Sequence, residues 1–196
     1  MSKRVRAYIG LGSNVGDSRR TIENALRALA ALPGARLRGV SRLYRTKPVG
    51  VTEQADFLNA AAALDVPAGP DPETGALALL AALKGIESAL GRGDRERWGP
   101  REIDLDLLAF GRHQIKVERP DGRWLEVPHP LAHERLFVLA PLSDLAPGLR
   151  PPGWGESVET ARRRQEKTEG SGAAIRAADL LSAPVRQHRC GTAGDG

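Results

Sequence analysis

Cysteine is almost absent from this 196-residue sequence, and its scarcity excludes one class of architecture. A single residue, Cys190, cannot form an internal disulfide, so the disulfide-stabilised framework of many small secreted proteins is excluded. A chain with so few thiols is also typical of a reducing compartment. We therefore expect a cytoplasmic protein.

Long apolar runs are missing as well, although hydrophobic residues make up 41% of the chain. No segment approaches the ~18 apolar residues of a membrane-spanning helix, so we expect no membrane association. The basic start, "MSKRVRAYIGLGSN", contains an apolar stretch that is too short for the core of a secretory signal. The length is sufficient for one domain with a sizeable hydrophobic core.

Two common nucleotide-binding motifs are also lacking. The stretch "GLGSNVG" suggests a dinucleotide-binding loop, but G-x-G-x-x-G would need a glycine where Val15 stands. The P-loop class is excluded too, because the chain contains no G-K-[ST]. We interpret Gly10, Gly12 and Gly16 as a tight structural turn, with Ser13 and Asn14 hydrogen bonding to the backbone.

The hydrophobic patterns that are present predict alternating strands and helices. Strands are predicted near residues 4–12, 35–46, 57–66 and 102–109. Helices are predicted near residues 17–32, 71–91 and, as a short helix or turn, 137–147. Asp17 is a suitable N-cap and Gly91 a suitable C-terminal stop. The Asp121-Gly122 pair predicts a β-hairpin over residues 115–127.

The order of these elements defines a fold class. The order β-α-β-β-α-β is that of the split βαβ arrangement, a ferredoxin-like α+β sandwich of two helices on an antiparallel sheet. The hairpin and a C-terminal extension are additions to this plan. We assign residues 1–150 to one catalytic domain with this fold.

The composition of the chain changes after about Pro151. "RRRQEKTEGSG" is charged and rich in glycine and serine, and "HRCGTAGDG" lacks apolar content. We expect residues 151–196 to form a partly disordered tail with at most one helix, near "AAIRAADLL". We also expect that truncation after about Pro151 leaves activity largely intact.

Acidic residues alternate along one predicted strand, in "RWGPREIDLDLL". Because side chains alternate faces and rise ~3.3 Å per residue, Asp104 and Asp106 should lie on one face about 6.5 Å apart. Two like charges so close favour a bound cation, and oxygen ligands suit Mg²⁺. Two Mg²⁺ ions are a common clamp in phosphoryl chemistry. The alternative is a solvated strand face paired with Arg97 and Arg101.

Arginines cluster directly before these carboxylates, in "GRGDRERWGPR". Guanidinium groups bind phosphate oxygens through paired hydrogen bonds, so arginines beside a metal site suit transfer of a phosphoryl or pyrophosphoryl group. Arg92 lies between Gly91 and Gly93, so we expect it to reach phosphate when a mobile loop closes. The alternative is a surface loop in which Asp94 and Glu96 pair with the arginines.

The motif "RWGPREIDLDLL" resembles the signature of the hydroxymethyldihydropterin pyrophosphokinase family of folate biosynthesis. Further segments resemble that family in the same order: "AYIGLGSNVGD", "SRLYRTKPVG", "DFLNAA", "LKGIESALGR" and "VPHPLAHERLFVLAPLSDLAP". The resemblance covers about Tyr8 to Leu149. It implies a ferredoxin-like fold and Mg²⁺-dependent transfer of pyrophosphate from ATP to the hydroxymethyl group of a dihydropterin, with release of AMP.

The resemblance also implies roles around the phosphates. Asp104 and Asp106 would hold two Mg²⁺ ions, and Asp106 or a neighbouring water would accept the hydroxymethyl proton. Arg92 and Arg101 would contact phosphates during catalysis. ATP contacts are implied for Glu87, Arg92, Arg97, Trp98, Arg101, His129 and Arg135. Taken alone, His129 in "VPHP" would be interpreted as a turn residue.

For the pterin, the resemblance implies a slot between Phe57 and Phe137, which would sandwich the ring. Asn59 would present its amide to the pterin edge, a pairing that rejects analogues lacking the matching groups. Thr46 and Val49 would contribute backbone contacts. Core packing is the alternative for both phenylalanines, but the chain has only three Phe, and two at family positions favour the slot.

Two other functional classes are compatible with parts of the sequence. A metal-dependent nucleotidyltransferase could use the same D-x-D pair, but it would usually need a third acid and would release pyrophosphate rather than AMP. A ferredoxin-like RNA-binding module would explain the net charge of +5, but with 4% aromatics no RNP1-like run is visible. We therefore expect a monomeric enzyme that binds small molecules and no nucleic acid.

Overall fold

A computed structural model describes residues 3–48, 53–91, 100–119, 121–170 and 173–178. The strands in these ranges are β1 (Arg4–Ser13), β2 (Arg36–Val40), β3 (Leu43–Thr46), β4 (Phe57–Pro67), β5 (Asp104–Phe110), β6 (Ile115–Glu118), β7 (Trp124–Val127) and β8 (Ala174–Ala178). The helices are α1 (Ser18–Ala31), α2 (Pro72–Ala89), α3 (Leu136–Leu145) and α4 (Val158–Glu169), with a 3-10 turn at Ala132–Glu134. Within the described ranges, no helix combines the length and the apolar composition needed to cross a bilayer.

The main sheet is antiparallel and has the order β5-β1-β4-β3-β8, with β2 also pairing with β4. The single strand predicted near residues 35–46 is therefore two strands. Ser41 separates them, because its Oγ accepts a hydrogen bond from the Ala61 N–H at 2.8 Å in place of a regular ladder contact. β6 and β7 form the predicted hairpin as a separate sheet. At the level of class, the α+β prediction is confirmed.

Helices α1 and α2 cover one face of the sheet. Both begin with an aspartate cap: the Asp17 carboxylate accepts a hydrogen bond from the Arg20 N–H at 3.0 Å, and Asp71 accepts one from Thr74 at 2.8 Å. Their apolar stripes pack on the inward side chains of β1, β4 and β5. The buried members include Ile9, Leu11, Ile22, Leu29, Leu64, Leu83, Leu105 and Phe110.

Helices α3 and α4 cover part of the opposite face. There Tyr8, Ala63 and Leu108 from the sheet are buried against Leu139 and other apolar residues of the two helices. This cover ends at Leu108, and the neighbouring Asp106 and Asp104 are only partly buried. The face that carries the two aspartates is thus closed at one end, which leaves a recess over them.

Helix α4 contradicts the predicted secondary structure of the segment after Pro151. Val158 and Ala161 are 0% exposed and belong to the packed layer that includes α3. Within residues 173–181, where at most one helix was predicted, Ala174–Ala178 instead form strand β8, which pairs with β3. Residues 179–196 lie outside the described residues, and the division of the chain at residue 150 stays a prediction.

The charge of α4 explains why its sequence suggested a frayed tail. The charged residues form ion pairs along the helix, such as Glu159 Oε2 with Arg162 Nε at 2.9 Å and Glu159 Oε1 with Arg163 Nε at 2.7 Å. The residues of α4 that reach the interior are Val158, Ala161 and Gln165. Composition alone could not predict this packing, because it depends on residues that are distant in sequence. The packing of α4 argues against the expectation that truncation after about Pro151 leaves activity intact.

Candidate active site

Two carboxylates lie side by side on β5, opposite two glycines of β1. In the register of the sheet, Asp104 faces Gly12 and Asp106 faces Gly10. Because glycine has no side chain, β1 leaves both carboxylates uncovered. These glycines therefore lie within a strand, and the predicted turn is confined to Gly16, whose φ is 63°.

A cavity of about 390 Å³ opens over this part of the sheet. It brings together most of the predicted site residues: Thr46, Phe57, Asn59, Arg101, Asp104, Asp106, His129, Arg135 and Phe137. Two lysines that were not predicted, Lys47 and Lys84, also line it. The predicted site residues Val49, Arg92, Arg97 and Trp98 lie outside the described residues.

Asn14 connects the two segments that border the carboxylates. Its Oδ1 accepts a hydrogen bond from the Arg101 N–H at 2.8 Å, and its own N–H donates to the Arg101 carbonyl at 3.0 Å. Its Nδ2 donates to Gln54 Oε1 at 3.0 Å and to the Ala55 carbonyl at 3.1 Å. Arg101 is thereby held where its guanidinium contacts Asp104 Oδ2 at 3.2 Å. The predicted backbone bonding of Asn14 is confirmed, whereas that of Ser13 is wrong, because its buried Oγ has no hydrogen-bond partner among the described residues.

The electrostatics of the carboxylate pair favour a bound cation. Burial raises the pKa of Asp106, and the negative charge of Asp104 raises it further, while His129, Lys84 and Arg135 oppose the shift. Burial lowers the pKa of His129, and Arg135 adds to this effect against the attraction of Asp106. The positive groups around Asp106 thus lower its pKa less than burial and the charge of Asp104 raise it.

Glu87 lies behind the site rather than in it. Its side chain is 2% exposed, and Oε1 accepts hydrogen bonds from the Leu105 N–H at 2.7 Å and from Lys84 Nζ at 2.8 Å. Because Leu105 lies between the two aspartates, this contact holds β5 in place. Lys84, one helical turn before Glu87, is the residue that lines the cavity. The spacing of three residues between Lys84 and Glu87 on a predicted helix was the sequence signal that the two side chains lie together.

The other end of the cavity has the features of a slot for a flat, polar ring. Asn59 is 6% exposed, and its Nδ2 donates to Thr46 Oγ1 at 2.7 Å. Phe57 and Phe137 are half-buried and line the cavity instead of packing in the core. In the register, Asn59 and Asp104 both neighbour Gly12, which places the slot two strand spacings, about 10 Å, from the carboxylates.

A second cavity of about 260 Å³ adjoins the first. Lys84, Asp106 and His129 border both cavities. Its outer side is formed by the β6–β7 hairpin, where Trp124 is 56% exposed, and by Arg119. Asp106 is therefore accessible from two directions.

Comparison with known proteins agrees with the family resemblance of the sequence. A family model described as "7,8-dihydro-6-hydroxymethylpterin-pyrophosphokinase (HPPK)" matches residues 8–147, which is more than half of the chain. The chain belongs to the HPPK family. The resemblance read from "RWGPREIDLDLL" is thereby confirmed, and the protein is an enzyme with the pyrophosphokinase activity of folate biosynthesis.

Curated relatives of the HPPK family are similar over most of their length. The chain is 44% identical over 167 residues to a Methylorubrum extorquens protein named 2-amino-4-hydroxy-6-hydroxymethyldihydropteridine pyrophosphokinase, covering 85% of this chain and 96% of the relative. A Pseudomonas aeruginosa protein of the same name is 46% identical over 147 residues, covering 75% of this chain and 84% of the relative. The first match is longer than 150 residues, so it extends into the segment that contains α4.

Solved structures share the fold at low sequence identity. A crystal structure of a Plasmodium falciparum HPPK-DHPS triple mutant matches with a TM-score of 0.69 and 15% identity, covering 90% of this chain and 47% of that chain. A structure of HPPK-DHPS in complex with substrates matches with a TM-score of 0.66 and 16% identity, covering 84% and 44%. The chain spans about half the length of these solved chains. At such identity the likeness shows a common fold only.

Proposed function

We propose that this HPPK family member transfers pyrophosphate from ATP to the hydroxymethyl group of 6-hydroxymethyl-7,8-dihydropterin and releases AMP. The observation that carries the proposal is one cavity that joins an aromatic, amide-bearing slot to a pair of carboxylates on β5. A pterin is flat and polar at its edge, and a triphosphate needs cations. The two ends of the cavity match these two substrates.

The pterin is proposed to lie between Phe57 and Phe137. A ring in this slot has the Asn59 amide at its edge, where the amide can both donate and accept hydrogen bonds. Thr46 orders that amide through the 2.7 Å hydrogen bond from Asn59 Nδ2. Val49 is proposed as a further contact on family resemblance. A deeply buried amide discriminates against rings that leave it unpaired, and this gives the site its specificity.

Asp104 and Asp106 are proposed to hold two Mg²⁺ ions. The fit is supported by the glycines opposite both carboxylates and by the cation-favouring environment of Asp106. Within the described residues no group of three or more acidic, His or Cys side chains is placed to hold a metal ion, and Mg²⁺ is commonly held by one or two carboxylates together with substrate phosphates. When bound, Mg²⁺ neutralises phosphate charge and polarises the phosphorus–oxygen bonds.

ATP is proposed to extend from the carboxylates toward the second cavity. His129 and Lys84 border both cavities, and Arg101 and Arg135 line the larger one, so positive groups surround the path of the phosphates. The exposed ring of Trp124 offers an apolar surface for the base. Arg92, Arg97 and Trp98 are proposed to complete this region on family resemblance. For Glu87, the burial supports a role in holding β5 and Lys84, and its predicted ATP contact stays a prediction.

The chemistry requires an in-line displacement. The hydroxymethyl oxygen attacks the β-phosphorus, the bond between this phosphorus and the oxygen bridging to the α-phosphate breaks, and AMP leaves with the electron pair. Asp106, or a water beside it, accepts the hydroxymethyl proton, because Asp106 lies on the cavity floor within the same space. Arg92 and Arg101 stabilise the charge that develops on the transferred group.

The proposal also includes the finer classification of the fold and the state of the protein. The order β5-β1-β4 followed by β2 and β3, with α1 and α2 on one face, supports a ferredoxin-like arrangement. We propose that the enzyme acts as a monomer in the cytoplasm on small-molecule substrates.

The proposal is tested by the products formed from ATP, Mg²⁺ and 6-hydroxymethyl-7,8-dihydropterin. We expect one AMP and one pterin diphosphate for each ATP consumed, and no products when the metal is removed with EDTA. Chromatography resolves AMP, ADP and pyrophosphate. Formation of ADP, or of pyrophosphate without AMP, would refute this assignment, and an Asp104→Asn variant serves as a control for contaminating activities.

A further inference from the structure

Helix α3 forms one wall of the cavity, yet its N-cap residue provides no cap. Arg135 is the N-cap, has an extended backbone with φ −125° and ψ 110°, and makes no side-chain hydrogen bond to the first turn. Arg135, Phe137 and Val138 all line the cavity. Because the first N–H groups of a helix lack partners within the helix, this wall needs an acceptor from elsewhere.

The acceptor comes from α4. The Leu136 N–H, the first of α3, donates to Glu169 Oε1 at 3.1 Å. Gln165, which is 9% exposed, donates from Nε2 to the same Glu169 oxygen at 2.9 Å and so orients the carboxylate. A negative charge at a helix N-terminus is also favoured by the helix dipole. One side chain thus supplies both the hydrogen bond and the charge that α3 lacks.

A second contact ties α4 to the turn before α3. Arg164 donates from an Nη atom to the His133 carbonyl at 2.9 Å, and it pairs with Glu156 Oε1 at 3.0 Å. Val158 and Ala161 anchor α4 in the packed layer below. The start of α3 is therefore held at two neighbouring points by a helix that has no residue in the cavity lining.

We propose that Glu169 is a positioning residue for substrate binding. By capping Leu136 it holds the two flanking residues, Arg135 and Phe137, in the cavity wall. The inference rests on the proposed function, in which Phe137 contacts the pterin and Arg135 contacts ATP. Loss of the cap weakens the binding of both substrates, while the aspartates on β5 and the chemical step that they support are spared.

The test uses three variants of the full chain. In Glu169→Ala we expect dissociation constants for pterin and for MgATP to rise about fivefold, the effect of losing one helix cap, with kcat changed less than twofold. Glu169→Gln keeps a carbonyl acceptor and should restore most of the affinity. Glu166→Ala removes an equal charge from the same helix, where Glu166 pairs with Arg162, and should bind like the wild type.

A ligand-free measurement separates the cap from the chemistry. We expect the Leu136 amide to exchange its hydrogen faster in Glu169→Ala than in the wild type or in Glu166→Ala. Unchanged exchange, unchanged substrate affinities in Glu169→Ala, or equal losses in the two alanine variants would each overturn the proposal. Failure of the unmodified protein to form AMP would instead refute the proposed function, and the exchange measurement would still decide whether Glu169 caps α3.

Discussion

At the scale of single residues, the glycines of β1 decide what the site can hold. A Cβ on Gly12 would lie 3.0 Å from Asn59 Oδ1, so any side chain there would displace the amide at the proposed pterin edge. The three atoms nearest to a Cβ on Gly10 belong to the side chain of Leu108, at 3.4 to 3.6 Å, which is ordinary contact. A side chain at position 12 would thus disturb Asn59, whereas one at position 10 would make ordinary contact with Leu108.

This difference gives a prediction. We expect Gly12→Ala to weaken pterin binding about tenfold, since a shifted Asn59 loses roughly one hydrogen bond to the ring. Gly10→Ala should have a clearly smaller effect, because Leu108 can adjust. Titration calorimetry of each variant with the pterin measures both. Pterin binding by Gly12→Ala at wild-type strength would show that Asn59 is not the edge contact.

The residue scale also separates what local pattern predicts from what it cannot. Asp104 and Asp106 were predicted as neighbours on one face, because alternation along a strand is a local property. Asn14 was not predicted as a site residue, because its role depends on contacts with Arg101 and with residues near Gln54. Those contacts join parts of the chain that are far apart in sequence.

At the scale of elements, α2 contains two glycines in opposite environments. Gly85 is exposed in the middle of the helix, and a Cβ there would have no neighbour within 4 Å. Gly75 packs so closely on the Ala68 carbonyl oxygen that a Cβ would overlap it, with a Phe110 ring atom at 3.1 Å. Gly85 lowers the stability of α2 because glycine has a low helix propensity, whereas Gly75 permits the close approach of α2 to Ala68.

We therefore expect Gly85→Ala to raise the free energy of unfolding by about 0.5–1 kcal/mol, the difference in helix propensity. Gly75→Ala should lower it by about 1–3 kcal/mol, because overpacking forces α2 away from the preceding loop. Urea denaturation of the two variants provides the comparison. Destabilisation by Gly85→Ala would mean that the exposed side of α2 has a partner.

Boundaries of helices and strands that depend on neighbouring residues were predicted, whereas those that depend on distant residues were not. The predicted starts of α1 and α2 agree with the structure, because Asp17 and Asp71 cap these helices from adjacent positions. The interruption at Ser41 was missed, because it is created by a hydrogen bond to Ala61 on β4. The same reason applies to β8, whose identity as a strand depends on the edge of β3.

At the scale of the whole molecule, a partly buried acidic residue joins α3 to the sheet. Asp144 accepts hydrogen bonds from Arg42 Nε at 3.0 Å, from the Arg42 N–H at 3.1 Å and from the Tyr44 hydroxyl at 3.0 Å. Burial would raise the pKa of Asp144, but the hydrogen bonds from Arg42 and Tyr44 outweigh it, so the pKa is lowered. Hydrogen bonding from Arg162 likewise lowers the pKa of Glu159 to about 2.

These lowered pKa values predict acid sensitivity. Because the unfolded chain binds protons at higher pH than the folded chain does, the stabilisation is complete above the unfolded pKa values, about 4 to 4.5, and is lost as pH falls toward 2. We expect the melting temperature to drop steeply below pH 4. Asp144→Asn should melt lower at pH 7 and lose less on acidification. A melting temperature unchanged between pH 5 and pH 3 would contradict this account.

The chain's own pattern was enough for the α+β class, the two capped helices, the β6–β7 hairpin and the acidic pair on β5, since each depends on residues close in sequence. It was not enough for the helix α4, for the cavity or for the cap that Glu169 provides to α3. Those features exist because segments distant in sequence meet: glycines of β1 oppose aspartates of β5, and α4 packs at the start of α3. Burial and pairing between distant segments are properties of the folded chain, so local composition could only describe α4 as charged.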